Sequence, residues 1–200
     1  MRLLITAFEP FGNCDINPSY ELLKSLPDSI EGVTIEKQLL PVSFNNSFAI
    51  LENRIKHTEY DAIIMLGQYG GSEHIRLEMA GHNIISTKKP DNDGNIPLPK
   101  PIANNAGYGY FTSFDLWHIA DKLKSKSCVV EISESAGGYV CNFIYFSCLH
   151  YIKEHDLSTK ALFVHLPFIK EQQKEPSLTL DEEYKTIITL LNIIIEGEKQ

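Results

Sequence analysis

Short apolar runs that alternate with helical periodicity constrain this chain more than any other feature. Leu3–Phe8, Val33–Leu39, Asp61–Leu66, Cys128–Ser133 and Ala161–His165 are five to seven residues long, a length that suits buried strands better than buried helices. His74–Ser86 adds a sixth segment of strand character. Five further segments carry apolar residues at helical spacing: Pro18–Leu26, Asn45–Lys56, Phe114–Lys124, the stretch from Cys141 through Ile144, Tyr145, Cys148, Leu149 and Ile152, and a last one running to Glu196. Strands and helices in alternation predict an α/β fold, a three-layer α/β/α sandwich around a mainly parallel twisted sheet. The 200 residues, 43% of them hydrophobic, suit one domain spanning 1–200.

Local signals set the helix ends. Asn17 followed by Pro18 is an N-cap with proline at the first helical position. Ser113 is the expected N-cap of the Phe114–Lys124 helix. Thr179 and Glu182 form a capping box, and Gly197 is the expected stop of the final helix.

Several function classes are excluded early. With 18 basic and 26 acidic residues the net charge is −8, and no basic stripe for nucleic acid is present. No apolar run is long enough to span a bilayer. Cys14, Cys128, Cys141 and Cys148 show neither CxxC nor disulfide-framework spacing, and the seven histidines are scattered, so a zinc site is not expected. A reducing, cytoplasmic setting is the expectation.

The chemistry concentrates around Cys141. A Gly137-Gly138 turn leads from a strand into the helix that Cys141 opens. Free amides and the positive end of a helix stabilise a thiolate, and can stabilise an oxyanion beside it. The same position also suits a small buried hydrophobe. His165 lies at the carboxyl end of the next strand. The two strands and the intervening helix read as a βαβ unit, whose right-handed crossover makes the strands parallel and brings Cys141 and His165 to one sheet edge. Glu78 is either a solvent-facing residue or an acid that orients the histidine. Phe8 and Phe11, on the loop after the first strand, either wall a pocket or pack that loop down. Gly67–Gly71 lacks the spacing of nucleotide-binding loops and suits close backbone approach to a small ligand. The proline-rich loop from Lys88 to Ile102 suits a functional loop or a subunit contact.

Taken together, these motifs resemble the pyroglutamyl peptidase I (pyrrolidone-carboxylate peptidase) family over nearly the full length. The resemblance rests on Thr6-Ala-Phe-Glu-Pro-Phe-Gly12 with Asn17-Pro-Ser19; Gly67-Gln68 and Gly70-Gly71 followed by Glu78; Pro90-Asp-Asn with Gly94-Asn95; Ser135-Ala-Gly with Val140-Cys141-Asn142; and His165-Leu-Pro167 with Glu171-Gln172 and Pro176-Ser177. It implies a catalytic triad of Glu78, Cys141 and His165, no cofactor or metal, and a substrate site formed by Phe8, Phe11, Gln68, Lys88, Tyr139 and Val140. The implied substrates are peptides with N-terminal pyroglutamate, and the implied assembly is a homo-oligomer, tetramer or dimer. The chain departs from the family pattern at Met79 and Lys88, where arginine is usual, at Lys89, where a hydrophobic residue is usual, at Gly138, where threonine is usual, and at Tyr139, where phenylalanine is usual. A related thiol hydrolase with another small substrate, or a non-catalytic binder, fits the same residues. Thiol reactivity separates the binder from the enzymes, because a triad cysteine is expected to have a depressed pKa.

Overall fold

The computed structural model describes residues 1–12 and 14–198. In chain order the elements are β1 (Arg2–Phe8), α1 (Pro18–Ser25), β2 (Ser29–Ile30), β3 (Val33–Leu40), α2 (Ser47–His57), β4 (Ala62–Gln68), β5 (Ile75–Glu78), β6 (Ala80–His82), β7 (Gly109–Phe111), α3 (Leu116–Ser125), β8 (Val130–Ser133), α4 (Val140–Glu154), β9 (Lys160–Leu166), β10 (Phe168–Ile169), β11 (Ser177–Leu178) and α5 (Leu180–Glu198). The main sheet has the order β2-β3-β1-β4-β9-β5-β8.

Alternation along each strand divides the interior into two cores, because successive side chains leave a strand on opposite faces. Leu3, Ile5 and Ala7 of β1, Ile64 and Leu66 of β4, and Leu162, Val164 and Leu166 of β9 meet α1, α3 and α5. Leu4, Phe8, Ile63, Met65, Ala161 and Phe163 point the other way, to α2 and α4. The central strands are therefore apolar on both faces and buried along nearly their whole length, which is what a sheet sandwiched between helices requires. The expected three-layer α/β sandwich is the fold observed.

The sheet is mainly parallel: β3-β1, β1-β4, β4-β9 and β5-β8 all run so. One pairing corrects the expected βαβ unit. β5 lies between β9 and β8, antiparallel to β9 and parallel to β8. The strands before and after the Cys141 helix are thus neither adjacent nor parallel. The chain leaves the carboxyl end of β4, turns back through residues 69–74 and runs down the sheet as β5, and β8 aligns with it. Residues 134–139 then return the chain to the carboxyl edge of β9, where α4 begins.

The helix ends follow local capping chemistry. Asn17 Oδ1 accepts from Ser19 N–H at 3.0 Å, and Pro18 opens α1. Thr179 and Glu182 form the expected reciprocal box at α5, with Glu182 Oε2 accepting from Thr179 N–H at 2.7 Å and Thr179 Oγ1 from Glu182 N–H at 3.2 Å. Two expected ends are corrected. Asp115, not Ser113, caps α3 by accepting from His118 N–H at 3.0 Å. Gly197 does not stop α5, which runs to Glu198, because this glycine does not take up the left-handed conformation that ends helices.

One buried carboxyl stands apart. Glu183, in the first turns of α5, is 0% exposed and neither carboxylate oxygen has a hydrogen-bond partner. Burial, with Glu171 and Glu182 nearby, pushes its carboxyl up to about 9. No described helix is long and apolar enough to cross a membrane, and no His/Cys/Asp/Glu group among the described residues could hold a metal.

Candidate active site

Strand alternation decides which polar residues meet. On β4, β5 and β9 the face under α4 carries Gly67, Arg76, Glu78 and His165, while Leu66, Leu77 and Val164 take the opposite face. Register then sets their heights. Gly67 pairs with His165 across the parallel β4-β9 ladder. Arg76 pairs with His165, and Glu78 with Phe163, across the antiparallel β5-β9 ladder. The result is a contact of 2.7 Å between His165 Nδ1 and Glu78 Oε1, with the two side chains 3% and 0% exposed. Glu78 Oε2 has no hydrogen-bond partner. The imidazole packs between Phe163, ring centroids 4.7 Å apart, and Tyr69, 5.4 Å apart. Tyr145 Oη donates to the Glu78 carbonyl at 2.9 Å, tying β5 to α4.

Cys141 arrives above this pair from the start of α4. Its Sγ would lie 3.1 Å from a Cβ on Gly67, and that Cβ would stand 2.7 Å from the Phe163 ring. Only glycine at 67 lets the thiol settle onto the sheet beside His165's register partner. Tyr139, the N-cap, supplies no side-chain cap, so the first amides of α4 keep free N–H groups at the end of a positive helix dipole. Asn142 pins this end of the helix. It is fully buried, its Nδ2 donates to the carbonyls of His82 and Ile84 at 2.9 Å each, and its Oδ1 accepts from His82 N–H at 2.8 Å. The approach segment is held as closely. Ser86 N–H donates to the Gly138 carbonyl at 2.9 Å, and a Cβ on Gly138 would meet the Ser86 carbonyl oxygen at 2.6 Å. A β-branched residue here would push the two segments apart.

The expectation of a depressed thiol pKa is corrected. Burial pushes the Cys141 thiol up to about 12, and the charge of Glu78 adds to the shift. The thiol's own backbone N–H works the other way but is outweighed. A thiol held this high is protonated near neutral pH.

Beside Cys141 lies a narrow slot of about 30 Å³, lined by Phe8, Phe11, Asn17, Val42, Gln68, Tyr139, Val140 and Cys141. Five of the six expected substrate-binding residues line it. Lys88 does not: it is exposed on the proline-rich loop, as is Lys89. Tyr139 makes one wall. Its ring meets Phe44 edge-on at 5.6 Å and Phe11 at 6.3 Å, and its hydroxyl donates to the Pro90 carbonyl at 2.7 Å. Burial, with Asp91 and Cys141 nearby, pushes this phenol up to about 12, so it keeps its proton and the bond. The loop carrying Pro90 is anchored by Asp91, which accepts from Phe44, Asp93 and Asn95 amides at 2.7–3.0 Å. Burial opposes the Asp91 charge, but these bonds outweigh it and hold the carboxyl below its usual range. Asn92 Nδ2 reaches across to Glu9 Oε1 at 2.8 Å and the Pro10 carbonyl at 3.0 Å, joining this loop to the one bearing Phe11.

Sequence reading missed Asn17 and Val42 in the pocket wall, and the holding function of Asn142. Asn17 carried a signal for a helix cap, and it does cap; its side chain also donates to the Glu9 carbonyl at 2.9 Å. Met79, where arginine is usual, packs against the apolar core on the opposite side of the sheet.

Comparison with known proteins agrees with this arrangement. The sequence model described as pyroglutamyl peptidase matches residues 1–197. Pyrrolidone-carboxylate peptidase 1 of Caldanaerobacter subterraneus subsp. tengcongensis is 37% identical over 201 residues, covering 98% of this chain and 99% of its own. The pyrrolidone-carboxylate peptidase of Thermococcus kodakarensis is also 37% identical, over 98% of this chain and 97% of its own. The crystal structure of pyrrolidone carboxyl peptidase from Fervidobacterium islandicum superposes with a TM-score of 0.94 at 36% identity, covering 98% of this chain and 99% of that one. Since both sequence and fold match from end to end, the chain belongs to the pyroglutamyl peptidase family of cysteine-type hydrolases.

Proposed function

We propose that this protein removes an N-terminal pyroglutamyl residue from peptides by thiol catalysis. The observation that carries the reading is the buried Glu78–His165 pair, 2.7 Å apart, lying below a cysteine at an uncapped helix start and next to an aromatic slot. Glu78 accepts a hydrogen bond from His165 Nδ1–H, which leaves Nε2 unprotonated to act as a base. Nε2 takes the Cys141 proton as Sγ attacks the amide carbonyl that joins the lactam ring to the next residue. A thiol held as high as about 12 makes this proton transfer part of the attack. The Cys141 amide and its neighbours at the start of α4 donate to the developing oxyanion, each such donor typically contributing a few kcal/mol. The imidazolium then protonates the leaving amine. Water, deprotonated by His165, attacks the thioester and frees pyroglutamate. Phe8, Phe11, Tyr139 and Val140 form the walls around the flat, uncharged lactam, and Gln68 supplies a polar contact. Lys88, exposed on the proline-rich loop, does not line the slot. We propose further that the protein is a homo-oligomer, dimer or tetramer, acting in the cytoplasm.

The test is release of a fluorescent amine from a pyroglutamyl conjugate, with a prolyl conjugate bearing a free amine as the control. The expected result is turnover of the first alone, abolished in Cys141→Ala. An inert wild type whose Cys141 alkylates faster than that of His165→Ala would overturn the substrate, and an inert wild type whose Cys141 alkylates no faster than in that variant would overturn the triad.

A further inference from the structure

Arg76 shares a strand face with Glu78, two residues before it. Its side chain is 19% exposed. Nη2 donates to Ser133 Oγ at 2.7 Å, and Cζ lies 4.3 Å from the centroid of the Tyr69 ring, whose other neighbour is His165. Nε is 3.9 Å from Glu78 Oε1 and 3.3 Å from Glu131 Oε1. The charged and titratable groups around Glu78 are Arg76 on its own strand, His165 on β9, and Cys141 and Tyr145 on α4. Beyond Arg76 stand Glu131 on β8 and His74, which faces Glu131 at 4.0 Å.

A carboxylate with no access to water needs a compensating charge. When His165 is neutral, as a base must be, Arg76 is the nearest cation to Glu78 among the described residues. We propose that Arg76 is a positioning residue for the hydrolysis: its guanidinium keeps Glu78 ionised and fixed on His165 Nδ1, so that Nε2 stays free to take the thiol proton. The alternative state is unproductive. A protonated Glu78 would donate its O–H to Nδ1, the imidazole proton would sit on Nε2, and the base would be lost. Ser133 and Tyr69 hold the guanidinium in place, Ser133 from the strand that pairs with β5 and Tyr69 from the loop that precedes it. This inference rests on the peptidase reading above.

The test compares wild type with Arg76→Gln, Arg76→Lys and Glu131→Gln. Two quantities are followed from pH 5 to 9: kcat and KM on the pyroglutamyl conjugate, and the rate at which iodoacetamide alkylates Cys141. The acid limb of kcat belongs to the Glu78–His165 pair as a unit. In Arg76→Gln it should move up by about one pH unit, giving about a tenfold loss of kcat on the acid side. Activity should approach wild type at higher pH, with KM unchanged, because Arg76 does not line the slot. Arg76→Lys should restore most of the profile. Glu131→Gln, at a half-exposed position that does not threaten folding, should move the limb slightly down. The alkylation profiles should move with the kcat profiles, and they need no substrate. A wild type that alkylates but does not turn over the conjugate would therefore overturn the peptidase reading while still judging Arg76. A kcat loss uniform across pH, a raised KM, or alkylation limbs unmoved in both Arg76→Gln and Glu131→Gln would overturn the proposal. If Arg76→Gln fails to fold, an unmoved limb in Glu131→Gln overturns it alone.

Discussion

The two halves of this site are built by different means. Glu78 and His165 stand on adjacent strands, and their meeting follows from ladder register and side-chain alternation. Cys141 and the slot stand on a helix start, the last residues of β1 and β4 and the loops around them, tied by hydrogen bonds from side chains to backbone: Asn142 to His82 and Ile84, Tyr139 to Pro90, Asn92 to Pro10. A strand-built pair tolerates little change, because a one-residue slip moves every side chain to the other face. A loop-built wall can change one residue at a time. The departures from the family pattern divide accordingly. Gly138 and Tyr139 lie in the loop half, Lys88 and Lys89 on an exposed loop outside the slot, while Met79, next to the strand pair, turns away into the core.

The contrast can be broken at its strongest point. His165→Ala should lower kcat/KM by about 10⁴-fold or more. It should also unmask the thiol. Because Cys141 is pushed up to about 12, its thiolate fraction below that pH grows about tenfold per pH unit, so alkylation of the variant should climb steadily from pH 7 to 10 without a plateau. A plateau below pH 9 would show that the pocket itself stabilises the thiolate and that the loop half is chemically self-sufficient. Asn142→Ala probes the joint between the halves. Removing three buried hydrogen bonds at the start of α4 should cost about 2–4 kcal/mol in a denaturation titration and about 10²-fold in kcat through displacement of the nucleophile. An unchanged kcat would mean that the Gly67 seat alone positions Cys141. Tyr139→Phe tests the wall. It removes the hydroxyl bond to Pro90, and the expected effect is a rise in KM of about fivefold with kcat nearly constant, the size of one net hydrogen bond. Lys88→Ala should change kcat/KM by less than about twofold, as an exposed surface position does. A larger loss would bring the proline-rich loop into the site.

Much of this arrangement was legible in the sequence, for reasons that differ by element. Strands and helices announce themselves locally, through apolar period and caps such as Asn17-Pro18 and Thr179 with Glu182. Cys141 and His165 are residue types that chemistry favours at a turn into a helix and at a strand end. The insertion of β5 between β9 and β8 was not legible, since strand order is decided by contacts distant in sequence. Cys141 and His165 do share an edge, but through the return segment 134–139 and not through a parallel crossover. The thiol's shift was misjudged because a helix start pulls one way and burial the other, and the depth of burial is not written in the local sequence. Arg76, Asn142 and Val42 are ordinary residues that matter by position alone.

Glu183 couples folding to the uptake of a proton. Its carboxyl, held up to about 9 by burial, is protonated in the native chain at neutral pH and ionised in the unfolded one, whose value is near 4.5. A group whose native pKa is raised gives its full contribution below the unfolded value and loses it as pH climbs toward the native one. Folding at neutral pH therefore takes up a proton, and stability from this residue declines between about pH 5 and 9 by a few kcal/mol. Glu183→Gln should flatten that slope, and the proton uptake should vanish when folding is followed in two buffers of different ionisation enthalpy. The side of the sheet opposite Glu78 and His165 thus sets an alkaline limit on stability, independent of the pH at which the enzyme turns over.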